Sequence, residues 1–98
     1  MVSELSAQLA RLDAGDLASI IARGEVSAGE VLDSTLERLE AVNGDLNAVI
    51  HDHRDLARTT VAAGVTGPFA GVPMLMKDLW ACEAGLPHHQ GVQALKRH

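Results

Sequence analysis

The sequence predicts an α/β protein in which amino-terminal helices precede the first strands of a mixed sheet. Through most of the first 63 residues, apolar side chains recur at three- and four-residue spacing, which is typical of amphipathic helices. Two short apolar runs, at residues 46–50 and 72–76, are bounded by turn-forming residues and are typical of strands. Helices, a strand, a further helix and a second strand, in that order, indicate an α/β domain.

The first two predicted helices are short. Leu5, Leu9 and Leu12 recur at helical spacing and form one apolar stripe. Asp13 is a favourable amino-terminal cap for the next helix, because its carboxylate can accept a bond from a free backbone amide. Gly24 provides the left-handed conformation that ends this helix.

The third predicted helix is the longest and runs from Ser27 to about Val42. Ser27 and Glu30 have the spacing of a capping box, in which each side chain accepts a bond from the other residue's amide. Asn43-Gly44 is predicted to close the helix. Its apolar stripe consists of Leu32, Leu36, Leu39 and Val42.

A strand, a helix and a loop are predicted next. Residues 46–50 are rich in β-forming side chains at their end and predict the strand. Asp52 is expected to cap a helix that ends at Gly64. Further on, residues 80–86 predict a loop or short strand with a turn at Gly85–Pro87, and residues 90–98 predict the start of another helix.

The segment 71–78 stands out because an apolar run ends directly on a cation and an anion. Residues 72–76 are apolar throughout, which is typical of a strand covered on both faces. Pro73 cannot donate a ladder bond and should lie at the strand's start or at an edge. From the residues alone, Lys77 is open to three interpretations: a base, a phosphate ligand, or a strand-end cation that pairs with Asp78 or enters water.

Composition excludes several classes of function. A formal charge of −5 and a pI near 5.4 argue against a nucleic-acid partner. No apolar run approaches the length of a membrane span, and residues 1–12 lack the pattern of a signal peptide. The single Cys82 excludes an internal disulfide and fits a reducing compartment. We therefore expect a cytoplasmic protein with no membrane or nucleic-acid partner.

Three phrases of the sequence, in order, resemble the amidase signature family. Residues 67–78 (GPFAGVPMLMKD) are similar to that family's "GPLAGVPxxVKD" segment. Residues 16–27 resemble its opening phrase, and residues 43–48 (NGDLNA) resemble its "NpxLNA" turn. The resemblance extends from about Leu12 to Gly91. It is specific because the three phrases share order and spacing.

The resemblance implies an amide-bond hydrolase with a Ser–cis-Ser–Lys triad, acting on a small-molecule amide without a cofactor. Mapped by motif, the lysine of that triad is Lys77. A neutral lysine can take a proton from the bridging serine, which then activates the nucleophilic serine toward the carbonyl carbon. That role requires burial of the amine. Asp78 is expected to orient the lysine or to have a structural role.

The two serines that the resemblance requires are missing from this sequence. No Gly-Ser-Ser-Gly stretch is present, and every serine lies in the predicted helical region: Ser3, Ser6, Ser19, Ser27 and Ser34. A lysine base without a nucleophile cannot run the reaction, so we expect this polypeptide alone to be inactive. We expect residues 1–98 to be a partial amidase-signature domain, truncated at the carboxy terminus. Without neighbouring strands, residues 72–76 are expected to promote self-association.

The sequence also departs from the family pattern after Lys77. Where the family usually has two hydroxyl residues and a serine, this chain has His88, His89 and Val92. His51, His53 and the pair His88–His89 with Cys82 could supply metal ligands, but their spacing matches no common zinc signature, so we expect no metal site. Two alternatives to the hydrolase remain: a non-catalytic helical interaction module derived from an amidase, and a small metal-binding protein.

Overall fold

The computed structural model describes residues 3–78 and 83–88, and within them the protein is helical. The longest helix, α3, lies between α1 and α4 and packs against both. The helices are α1 (Glu4–Leu9), α2 (Ala14–Ala22), α3 (Ala28–Leu46) and α4 (Arg54–Ala63).

The predicted starts of α2 and α3 are confirmed. The Asp13 carboxylate accepts a hydrogen bond from the amide of Asp16 at 2.8 Å. At α3 the capping box is complete: the amide of Glu30 donates to Ser27 Oγ at 3.0 Å, and the amide of Ser27 donates to Glu30 Oε1 at 3.0 Å. These bonds satisfy amides that have no partner within the helix, and so they fix where each helix begins.

The end of α3 differs from the prediction. The helix continues through Asn43-Gly44 to Leu46, and Asn47 closes it in the left-handed conformation, with φ of 48°. The Asn43 side chain accepts a bond from the amide of Val49 at 2.9 Å and donates one to the carbonyl of Val49 at 3.0 Å. Asn43 therefore stabilises the chain that leaves the helix without ending the helix itself.

The predicted mixed sheet is wrong, because the described residues contain no strand. Residues 47–50 and 72–77 have no regular secondary structure. A strand requires a neighbouring extended segment to accept and donate its backbone bonds, and no such segment lies beside either run within the described residues. The apolar pattern of residues 72–76 indicates side chains suited to burial, but it does not provide the partner that a sheet needs.

The start of α4 is close to the prediction. The helix begins at Arg54, with His53 as the preceding residue, and the Asp52 carboxylate accepts the Arg54 amide bond at 2.9 Å. The acidic residue therefore serves the helix start from one position further out than expected. Gly64 ends the helix with φ of 96°, as predicted.

The core lies where α1, α2 and the start of α3 meet. Leu9, Val26 and Val31 are buried there. The predicted α3 stripe is buried at Leu32 and Leu36, whereas Val42 is 46% exposed. Side chains packed at the edge of this core are Leu12, Leu17, Ile20 and Ile21.

Buried polar contacts join α1 to α3. Ser6 is fully buried, and its hydroxyl donates to the backbone carbonyl of Ser34 at 2.8 Å. Arg38 Nη1 donates to the carbonyl of Ser6 at 2.9 Å, and the Ser3 hydroxyl donates to Glu37 at 3.0 Å. These bonds give α1 a fixed register along α3.

The carboxy-terminal predictions are tested only in part. Gly85 has φ of 87°, and the amide of Leu86 donates to the carbonyl of Glu83 at 3.1 Å, so the predicted turn is present. The loop or strand predicted from residue 80 lies partly, and the helix predicted from residue 90 wholly, outside the described residues. Within residues 3–78 and 83–88, no helix is long and apolar enough to cross a membrane.

Candidate functional site

The segment that carries Lys77 begins with two successive turns. The amide of Ala70 donates to the carbonyl of Gly67 at 3.2 Å, and the amide of Val72 donates to the carbonyl of Phe69 at 3.1 Å. Gly67 and Gly71 have φ values of 109° and 87°, in a region that favours glycine. The glycines of the phrase therefore allow the backbone to turn twice before the apolar run.

Gly71 is also the point at which this segment rests on the helices. A β-carbon at position 71 would lie 2.9 Å from the β-carbon of Ala28 and 3.2 Å from Ile21 Cδ1. Those distances are shorter than an ordinary carbon–carbon contact, so a residue other than glycine would force α2 or α3 to move. The start of the Lys77 segment is consequently fixed against α2 and the first turn of α3.

Beyond Gly71 the apolar run leaves the helices. Val72 and Pro73 are partly buried, whereas Met74 and Leu75 are 78% and 76% exposed. The sequence predicted cover on both faces of this run. The described residues provide none for its outer part, so it is an exposed apolar surface.

Lys77 lies at the end of the exposed run and is itself exposed. Among residues 3–78 and 83–88, its amine has no hydrogen bond or ion pair. The expected pairing with Asp78 is therefore absent from this part of the chain. The burial that the proton-accepting role requires is likewise not supplied by these residues.

Asp78 faces a histidine from the turn that follows. His88 Nδ1 lies 3.5 Å from Asp78 Oδ1, and the two side chains are only 18% and 20% exposed. At this distance the contact is electrostatic rather than a short hydrogen bond. The structure thus brings together two residues that the sequence analysis treated separately, beside the candidate base.

The histidines considered as metal ligands do not form a site within the described residues. The rings of His51 and His53 are stacked, with centroids 6.2 Å apart and planes inclined by 21°. No group of three His, Cys, Asp or Glu side chains in residues 3–78 and 83–88 is arranged to hold a metal ion. Cys82 and His89 lie outside these ranges.

An arginine network beside α3 was missed by the sequence analysis. Arg54 Nη2 lies 2.5 Å from Glu40 and 2.6 Å from Asp52, at the edge of an open cleft of about 300 Å³ between the end of α3 and the start of α4. Hydrogen bonds from Arg54 lower the pKa of Asp52, and those carboxylates raise the pKa of Arg54. The close spacing of Asp52 and Arg54 was the available signal, but the third member, Glu40, comes from another helix.

Known proteins similar to this chain include enzymes that act on amides. The chain is 37% identical over 84 residues to the 6-aminohexanoate-cyclic-dimer hydrolase of Paenarthrobacter ureafaciens, which covers 86% of this chain and 17% of that protein. It is 37% identical over 95 residues to a glutamyl-tRNA(Gln) amidotransferase subunit of Salinispora arenicola, covering 89% and 19%. It is 32% identical over 92 residues to an acylamidase of Rhodococcus erythropolis, covering 86% and 19%.

These similarities involve only a short part of each relative. The chain spans about a fifth of the length of the curated relatives it matches. No family model and no solved structure matches the chain. The similarity thus extends over most of this sequence while leaving about four fifths of each relative without a counterpart in it.

Proposed function

The chain is homologous to part of the proteins of the amidase signature family, and from this premise we propose that it is the amino-terminal, lysine-bearing part of an amide-bond hydrolase. The observation that carries the proposal is the similarity to a cyclic-dimer hydrolase and an acylamidase over most of this chain. In the complete enzyme the substrate is a small-molecule amide. The protein acts in the cytoplasm and requires neither a membrane nor a nucleic acid.

In this proposal Lys77 is the base of a Ser–cis-Ser–Lys triad. Its uncharged amine accepts a proton from the bridging serine, and that serine accepts one from the nucleophilic serine as the latter attacks the carbonyl carbon. The position of Lys77 is compatible with this role, because its amine is exposed and is not paired within the described residues. The apolar run before it offers the surface against which the remainder of the enzyme would exclude water from the amine.

Both serines must come from outside these 98 residues. The sequence contains no Gly-Ser-Ser-Gly stretch, and Ser3, Ser6 and Ser34 are engaged in contacts between α1 and α3. A polypeptide of these residues alone should therefore hydrolyse neither amides nor esters above background. Turnover of simple aliphatic or aryl amides that disappears in Lys77→Ala would contradict this expectation.

A chimera tests the role of Lys77. Residues 1–87 would replace the corresponding part of a related amidase, and the rate of amide hydrolysis would be measured. We expect the chimera to be active and Lys77→Ala to lower kcat by at least about 10²–10⁴-fold, since a positioned base contributes that much. Lys77→Arg should be almost as damaging, because a guanidinium stays protonated and cannot accept the proton.

The matched control for the chimera is Arg23→Ala. Arg23 is an exposed cation whose only described side-chain partner is Glu25, so its removal should leave kcat within about twofold. An active chimera in which Lys77→Ala retains the parent rate would show that Lys77 is not the base. Asp78→Asn should cost less than Lys77→Ala if Asp78 only orients the lysine.

A non-catalytic helical interaction module is the second candidate. It is favoured by one observation: the core formed by Leu9, Val26 and Val31 lies among the helices and does not include the Lys77 segment. For such a module Lys77 would have no catalytic role. A chimera that folds but remains inactive, while the helices retain their stability, would favour this function over the hydrolase.

A further inference from the structure

We propose that His88 holds the Asp78 carboxylate away from the amine of Lys77 and so keeps that amine available to accept a proton. His88 is in this view a positioning residue that acts through Asp78. The inference rests on the proposed role of Lys77 as a base. It assigns a role to a position at which the sequence departs from the family pattern.

The geometry for this role is present in the described residues. Asp78 Oδ1 lies 3.5 Å from His88 Nδ1, and both side chains are about four-fifths buried. Lys77 precedes Asp78 directly, yet its side chain is exposed and makes no ion pair among residues 3–78 and 83–88. The carboxylate nearest to Lys77 in sequence is thus directed to an imidazole and not to the amine.

This choice of partner matters for a base. An opposite charge within about 4–6 Å favours the charged form of a lysine, and a charged ammonium cannot accept a proton. A carboxylate on the next residue is therefore a hazard for a catalytic lysine unless something else holds it. An imidazole whose Nδ1 donates to the carboxylate does so whether the ring is neutral or protonated.

The other charged groups near this contact are few. Among the described residues of the stretch from 77 to 88, the titratable side chains are Lys77, Asp78, Glu83 and His88. Glu83 is exposed and its carbonyl closes the turn with Leu86. It provides a matched acidic residue whose replacement should not release Asp78.

The reactivity of the Lys77 amine tests the proposal on the 98-residue chain itself. The sequence contains only two lysines, Lys77 and Lys96, so Lys96 is an internal reference. The protein would be treated with limiting acetic anhydride at one mildly alkaline pH, and acetylation of each lysine would be quantified by peptide mass spectrometry. The measured quantity is the ratio of Lys77 to Lys96 acetylation.

We expect His88→Ala to lower this ratio by about threefold or more, because Asp78 can then pair with the ammonium of Lys77. Adding Asp78→Asn to that variant should restore the ratio, since the competing carboxylate is gone. His88→Gln keeps an N–H donor and should retain most of the parent ratio. Glu83→Gln is the control and should leave the ratio unchanged. Helical circular dichroism would verify that each variant is folded.

Two results would overturn the proposal: an unchanged or higher ratio in folded His88→Ala, or a lowered ratio that Asp78→Asn does not restore. Neither result depends on catalysis. The hydrolase proposal is tested separately by Lys77→Ala in the chimera. A ratio that behaves as expected in a chain whose chimera tolerates Lys77→Ala would leave the role of His88 standing and refute the role of Lys77 as a base.

Discussion

Gly71 lies against Ala28 so closely that a β-carbon at position 71 would come within 2.9 Å of the Ala28 β-carbon. Ala28 is the first residue of α3, and the other neighbour of this position is Ile21 on α2. The contact therefore connects the segment that carries Lys77 to the part of the fold that contains the core. It places the start of the apolar run, although the end of the run is exposed.

Gly71→Ala should destabilise the protein more than Gly67→Ala. Both glycines have positive φ, which costs an alanine about 1–2 kcal/mol, but nothing lies within 4 Å of a β-carbon at position 67. At position 71 the clash with Ala28 and Ile21 adds about 1–3 kcal/mol. Urea unfolding followed by circular dichroism measures both variants. Equal losses would show that the close approach of Gly71 does not contribute to stability.

Ser6→Ala should lower the free energy of unfolding by about 1 kcal/mol relative to Ser19→Ala. The Ser6 hydroxyl is buried and donates to the carbonyl of Ser34, whereas Ser19 is exposed on α2. Both substitutions gain the helix propensity of alanine, so their difference isolates the buried hydrogen bond. Chemical denaturation gives this difference. If Ser6→Ala is no less stable than Ser19→Ala, the bond to Ser34 is not a significant part of the α1–α3 contact.

The Arg54 network predicts a small dependence of stability on acidic pH. Hydrogen bonds from Arg54 lower the pKa of Asp52 in the folded protein. A carboxyl whose pKa is lower when folded contributes stability above its unfolded pKa of about 4, and this contribution is lost as pH falls through the folded value. Asp52→Asn should therefore flatten the fall in stability below about pH 5.

The control for this pH dependence is Asp45→Asn. Asp45 is exposed near the end of α3 and has no hydrogen bond or ion pair among the described residues, so its replacement should leave the acidic slope almost unchanged. Because Asp52 is exposed, the effect should also shrink when salt is added. Parallel slopes for the parent protein and Asp52→Asn would contradict the prediction.

The exposed apolar run predicts self-association of the 98-residue chain. Met74 and Leu75 are more than three-quarters exposed, and backbone groups of an unpaired extended segment can bind another chain. Leu75→Lys should shift the protein toward monomer in size-exclusion chromatography and reduce binding of a hydrophobic dye. Leu56→Lys, a matched change at a half-exposed position on α4, should have a smaller effect. A parent protein that elutes as a sharp monomer without dye binding would refute the prediction.

The sequence by itself determined where the helices begin and, for α4, where it ends. The caps at Asp13, Ser27 and Glu30 and the stop at Gly64 each depend on atoms within a few residues of one another. Such bonds form wherever the rest of the chain goes, so residue type and spacing are enough to predict them. The same holds for the apolar stripe of α3 at Leu32 and Leu36, which repeats at helical spacing.

Only the tertiary structure decided the state of residues 72–76, the end of α3 and the partners of the charged side chains. A strand needs a second segment, and the apolar pattern of residues 72–76 carries no information on whether that segment lies nearby. Asp78 meets His88, and Arg54 meets Glu40, across turns that join separate parts of the chain. Contacts between residues far apart in sequence depend on how the connecting backbone is directed, and local propensity does not fix that direction.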